Sequence, residues 1–172
     1  MKDEYATFSR DAKHEMLRRK LGLSEFDDYA EESLHPELSE LLAKSAVDYT
    51  LLWRQLSHVS AADAAAAAAA ERAVEEAETA EAGEAAGAEE ARSKATLLGL
   101  LEDCFYEPPP KPLRKEWADW MTHYASRLHA DGRPEGERVA EMRAASPKYI
   151  PREWMLASAY TVSTRSRHVI VM

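Results

Sequence analysis

The stretch Leu113-Arg114-Lys115-Glu116-Trp117-Ala118-Asp119-Trp120-Met121-Thr122-His123-Tyr124-Ala125-Ser126-Arg127-Leu128 decides the fold class. Its large apolar residues, Leu113, Trp117, Trp120, Met121, Tyr124 and Leu128, recur at steps of four, three, one, three and four. That spacing marks one face of a helix, and side chains of this size belong in a core. An aromatic ligand cage is the alternative use of the same stripe. The helical period returns on both sides of this stretch. Tyr5, Phe8, Ala12 and Met16 share one face; so do Leu34, Leu38, Leu41 and Leu42, then Tyr49, Leu52, Trp53 and Leu56. A shorter helix from Pro134 to Ala145 carries Val139 and Met142. The chain is therefore expected to be all-α, an irregular helical bundle.

Helix ends are written in the same sequence. Pro36 suits a first helical turn, where its missing N–H costs nothing. Gly22 is a natural residue to follow a helix C-terminus. Arg18, Arg19 and Lys20 precede it, where positive charge opposes the negative end of the macrodipole. A solvated helix end explains that run, and a phosphate or partner contact is the other reading. Pro108, Pro109, Pro110 and Pro112 end the apolar run Leu97–Tyr106 and suit a short polyproline II spacer. Asp131-Gly132-Arg133-Pro134 reads as a turn.

Two segments break the pattern. Seventeen of residues 61–91 are alanine and most of the rest are glutamate, with no leucine, isoleucine or aromatic residue. Such a segment favours helix but offers no obvious face to bury. Residues 61–94 are expected to be a solvated, partly helical or disordered insert that adds nothing to the core. Residues 162–172 turn from polar and basic to β-branched, and read as an atypical tail or a short terminal strand. Residues 1–60 and 95–161 are then one helical domain.

Composition excludes several classes of function. The 172 residues carry a formal net charge of −9. Residues 61–92 hold nine acidic and two basic residues, so the acidity lies mostly in the insert. Nothing supports nucleic-acid binding, which favours a basic patch. No apolar run has the length of a membrane span. The single cysteine, Cys104, allows no intrachain disulfide; it reads as a small core residue, with a reactive thiol as the alternative.

Chemistry-bearing motifs are scarce. The six glycines never fall within three residues of one another, so no phosphate loop is present. His14-Glu15 is followed by Arg18 where a zinc-binding motif requires histidine. His123 and His129 are six apart and so lie on different helix faces. Asp119 and His123, four apart, are the best local acid–base couple, and a surface pair explains them equally well. Arg54 stands about 100° round the helix from Trp53. It reads as a structural ion pair reaching a carboxylate on another element, or as exposed.

One further stretch bends the chain. In Ser146-Pro147-Lys148-Tyr149-Ile150-Pro151-Arg152-Glu153-Trp154-Met155-Leu156 two prolines four residues apart forbid a continuous helix. Pro147 pushes Ser146 toward extended geometry. Lys148 and Tyr149 are expected in a rigid elbow, with a helix from Pro151 to about Thr161 that launches Trp154 and Met155 into a core. The wording of this elbow resembles the C-terminal part of the selenoprotein O family. So do Asp48-Tyr49-Thr50-Leu51-Leu52-Trp53-Arg54-Gln55-Leu56-Ser57 and Met16-Leu17-Arg18-Arg19-Lys20-Leu21-Gly22-Leu23, in the same order. The resemblance implies a kinase-like fold whose members transfer AMP from ATP to Ser, Thr or Tyr of other proteins, with magnesium. It also implies a mitochondrial setting for eukaryotic members, although no targeting segment is recognisable here. Arg54 could then face the nucleotide lobe. The family's ATP-clamping lysine and glutamate, its metal-holding asparagine and aspartate, and its redox-active cysteine or selenocysteine find no position here to be carried onto. Catalytic, cofactor-binding and metal-binding residues are accordingly none. Lys148, Tyr149 and Arg152 are read as fixing helix against helix. The expectation is a structural, inactive fragment whose partner is a missing N-terminal kinase-like region. The rival expectation is a free-standing interaction module that docks through the Trp-rich helix 113–129.

Overall fold

The computed structural model describes residues 2–76, 87–88, 91–92, 94, 96–148 and 153–167. The fold is all-α. The helices with described bounds are α1 (Lys2–Leu21), α2 (His35–Lys44), α3 (Tyr49–Leu56), α4 (Ala61–Glu76), α5 (Lys111–Asp131), α6 (Glu135–Ala145) and α7 (Glu153–Arg167), and residues 96–99 are helical as well. A π-helical turn, Ala30–Leu34, runs into α2, and a 3-10 turn, Glu102–Cys104, precedes the prolines. Among the described residues the one strand-like feature is an isolated antiparallel bridge between Val47 and Phe105.

The expected boundaries have visible causes. Pro112 lies in the first turn of α5, after Pro110 in extended geometry (φ −61°, ψ 155°). Gly132 ends α5 in the left-handed region at φ 65°, and its N–H reaches the Leu128 carbonyl at 3.4 Å. Asp48 caps α3: its Oδ1 accepts from the N–H groups of Thr50 and Leu51, both at 3.0 Å. Ser146, before Pro147, is extended at φ −127° and ψ 94°.

α5 is the spine. Trp117, Trp120, Met121, Tyr124 and Leu128 are all buried along it. Three of its side chains also carry a polar handle, and each handle ties down a different part of the chain. Trp117 Nε1 donates to Ser45 Oγ at 2.9 Å, beyond the end of α2. Trp120 Nε1 donates to the Leu34 carbonyl at 2.9 Å, in the π-helical turn. Tyr124 Oη donates to the Leu21 carbonyl at 2.9 Å, at the end of α1. The Trp120 and Tyr124 rings stack with centroids 5.3 Å apart, and Phe105 meets Trp117 edge-on at 5.5 Å. The helix read as a docking face is thus the inside of the bundle.

The alanine-rich segment corrects its sequence reading. α4 lies along α5 and buries Ala64, Ala67 and Ala70, one residue in three. A methyl group has little hydrophobicity to advertise, but it lets two helix axes approach closely. The first half of the supposed insert is therefore part of the core. Residues 77–86, 89–90, 93 and 95 lie outside the described residues.

Other expectations also change. The N-terminal half of α1 exposes its apolar face: Tyr5 is 75% and Phe8 72% accessible. Among its described side chains the buried ones are Leu17 and Leu21. α7 extends to Arg167, so residues 162–167 are helix and not tail. Met155 is 44% exposed and enters no core. Tyr149, Ile150, Pro151, Arg152, the side chain of Trp154 and residues 168–172 lie outside the described residues.

α1 meets α6 through Gly22. It has φ 73°, and a Cβ built there would stand 2.6 Å from Met142 Sδ and 2.8 Å from Arg138 Cγ. Only glycine meets both the backbone and the packing demand. Beside this contact, Glu141 of α6 accepts from Arg18 Nη2 at 2.6 Å and from Arg133 Nη1 at 2.8 Å. Hydrogen bonds from these two guanidiniums hold its carboxyl below the ordinary range, Arg18 contributing most. Arg18 Nη1 further donates to the Leu23 carbonyl at 2.8 Å. The Arg18-Arg19-Lys20 run is therefore no simple solvated end. Arg18 joins two helices, and Lys20 Nζ sits 5.0 Å from the Trp53 ring and 5.3 Å from the Tyr49 ring.

Candidate functional site

Two stretches that are 92 residues apart in sequence meet at α3. Arg54 Nη1 donates to the Ser146 carbonyl at 3.2 Å. The expected partner of Arg54 was a carboxylate; the structure gives it a backbone oxygen at the end of α6. One face of α3, with Leu51, Arg54 and Gln55, forms together with His58 just beyond the helix a wall of a groove of about 490 Å³. Asp48 and Thr50 line one end of it, and Lys148 lines it from beyond α6. Lys148 is the one elbow residue, of the three singled out in the sequence, whose place is described.

The groove has a definite electrostatic character. Asp48 Oδ1 is engaged at the start of α3, and its Oδ2 accepts from Tyr106 Oη at 3.2 Å. Desolvation lowers the His58 pKa from its ordinary value, and the positive charges of Arg143 and Arg54 add to that fall. His58 is therefore mostly neutral at pH 7 and able to donate one N–H.

The other sequence candidates disperse. Asp119 Oδ1 pairs with Lys94 Nζ at 2.7 Å, and no hydrogen bond joins it to His123 among the described residues. Both line a separate groove of about 250 Å³ with Glu37, Glu40 and Glu116. Its acid–base couple is thus not assembled. Cys104 is buried at 1% exposure, and burial pushes its thiol up to about 12. It is a core residue. Iodoacetamide is expected to leave Cys104 unmodified in the folded chain at pH 8 and to label it fully in denaturant; labelling at equal rates in both would overturn its burial. No group of three or more potential metal ligands stands together among the described residues. No described helix is long and apolar enough to cross a membrane.

Sequence reasoning missed the groove itself. Each wall stood out separately in the sequence, but no signal in either stretch says that Arg54 and Ser146 touch. Arg138, buried at 4%, also passed unnoticed, because an arginine between Val139 and Glu137 reads as a helix's polar side.

Known proteins share this arrangement of sequence. The family described as "Protein adenylyltransferase SelO" matches residues 1–168. A protein nucleotidyltransferase YdiU of Aeromonas hydrophila is 30% identical over 138 residues, covering 80% of this chain and 21% of the relative. The Myxococcus xanthus protein of that name is 29% identical over 143 residues, covering 83% and 22%. The Rhizobium meliloti one is 27% identical over 161 residues, covering 94% and 25%. The chain thus spans between a fifth and a quarter of the length of these relatives. No solved structure matches the chain. A family match over nearly all of these residues, at the stretches that build the groove, places the chain in the SelO protein adenylyltransferase family.

Proposed function

We propose that this chain is a helical, C-terminal scaffold segment of a protein adenylyltransferase. The intact enzyme transfers AMP from ATP to Ser, Thr or Tyr of target proteins with the help of magnesium. The segment contributes structure and lacks the nucleotide and metal site, which belongs to a kinase-like region preceding it. The observation that carries this reading is the pairing of a family match over residues 1–168 with coverage of at most 25% of the three relatives compared.

Two exposed apolar faces agree with it. Tyr5, Phe8 and Met16 of α1 are exposed, as are Met155, Leu156, Tyr160 and Val162 of α7. Apolar surface presented at both ends of the chain suits burial against more protein, since such patches mark interaction sites. In this reading the two helices grip the kinase-like region, while α5 and its surroundings form a rigid body.

Calorimetric titration of the 172-residue chain with ATP tests the division of labour. No saturable, magnesium-dependent binding is expected. Magnesium-dependent ATP affinity in this chain alone would overturn the proposal that the nucleotide site lies elsewhere.

A further inference from the structure

The α3 groove runs against the charge of the chain. The sequence is −9 overall, yet the groove gathers Arg54, Lys148 and His58 around one concavity, with Arg143 near enough to act on His58. Among the described residues its one lining carboxylate, Asp48, is engaged by the α3 backbone and by Tyr106. We propose that this groove is a binding site for a phosphate-class oxyanion.

Several independent features converge on that ligand. Arg54 and Lys148 are the two cations of the lining, and an anion in the groove is attracted to both. Arg54 is held in place by its bond to the Ser146 carbonyl, and a guanidinium offers a planar fork that matches phosphate oxygens two at a time. Lys148 adds a point charge to the lining, and His58 a neutral N–H donor. At about 490 Å³ the groove lies within the roughly 300–1,000 Å³ of small-molecule sites. It has room for a diphosphate or for the phosphate end of a nucleotide. It requires neither magnesium nor a base, and so goes beyond the scaffold role proposed above.

The test uses the 172-residue chain without magnesium, at constant ionic strength and near-neutral pH. Inorganic phosphate, diphosphate and AMP are titrated separately while the ring resonances of His58 are followed by NMR. A saturable shift of these resonances is expected with at least one probe, together with a rise in the His58 pKa. Lys148→Gln and Arg54→Gln are each expected to weaken binding by about tenfold, the scale of one charge-assisted hydrogen bond. Lys148 is exposed, so its variant keeps the fold even if Arg54→Gln loosens the α3–α6 junction. Tightest binding of diphosphate assigns the site to a free inorganic anion, and tightest binding of AMP to a nucleotide phosphate. A shift that rises linearly without saturating, or one of unchanged affinity in Lys148→Gln, overturns the proposal. Because magnesium is absent, either outcome leaves the ATP titration to judge the scaffold reading separately.

Discussion

Ala67→Glu is expected to destabilise the fold by about 3–5 kcal/mol, while Ala66→Glu changes stability by no more than about 0.5 kcal/mol. The two substitutions are neighbours in α4, add the same charge and carry the same cost in helix propensity. They differ in what surrounds them. Ala67 is fully buried against α5, whereas Ala66 is exposed. Glutamate at 67 must either bring an unpaired carboxylate into an apolar interface or push α4 away from α5. The second outcome exposes Ala64 and Ala70 as well, and opens the side of α5 that α4 covers. Urea denaturation gives the stability difference, and amide exchange over residues 61–70 shows whether α4 lets go first. Equal effects of the two substitutions would sink the claim that the alanine run is core.

That pair also shows where the sequence stops being readable. α5 was legible because Trp117, Trp120, Tyr124 and Leu128 are large and their period is plain. Its ends were legible too, since Pro112 and Gly132 restrict the backbone locally. α4 was not, because the signal of a buried alanine depends on how near its partner comes, and that distance is set by another helix. α1 shows the converse limit. Tyr5, Phe8 and Met16 have a good helical period, but a period names a face without naming what covers it; here the face is exposed. The groove at α3 was half legible. The α3 stretch Asp48–Ser57 and the elbow were each singled out by wording; Lys148, read there as fixing helix against helix, lines the groove. That Arg54 would reach a carbonyl rather than a carboxylate is a fact of three dimensions. A backbone oxygen leaves no mark in the sequence.

Arg138→Ala is expected to cost about 3–5 kcal/mol, the other large effect in this molecule. Arg138 is 4% exposed, on α6, with Nη1 3.5 Å from Met142 Sδ. Its Nη2 donates to the Val59 carbonyl in the link between α3 and α4. Its stem packs where Gly22 closes on α6. It also lies beside Tyr124, whose phenol burial pushes well above its ordinary pKa and the Arg138 charge draws partly back. Truncation therefore removes two separable contributions. Losing the charged hydrogen bond leaves a buried carbonyl unsatisfied, worth about 1.5–3 kcal/mol. Losing the stem methylenes adds roughly 0.8 kcal/mol for each buried group. Arg138→Met keeps most of the stem and discards only the guanidinium, so it is expected to cost about 1.5–3 kcal/mol, less than alanine by the stem contribution. The comparison reads out which contribution dominates: equal losses for alanine and methionine would mean that the bond to Val59 carries the junction alone. Should alanine cost under about 1 kcal/mol, Arg138 could not be what locks α6 to the α3–α4 link.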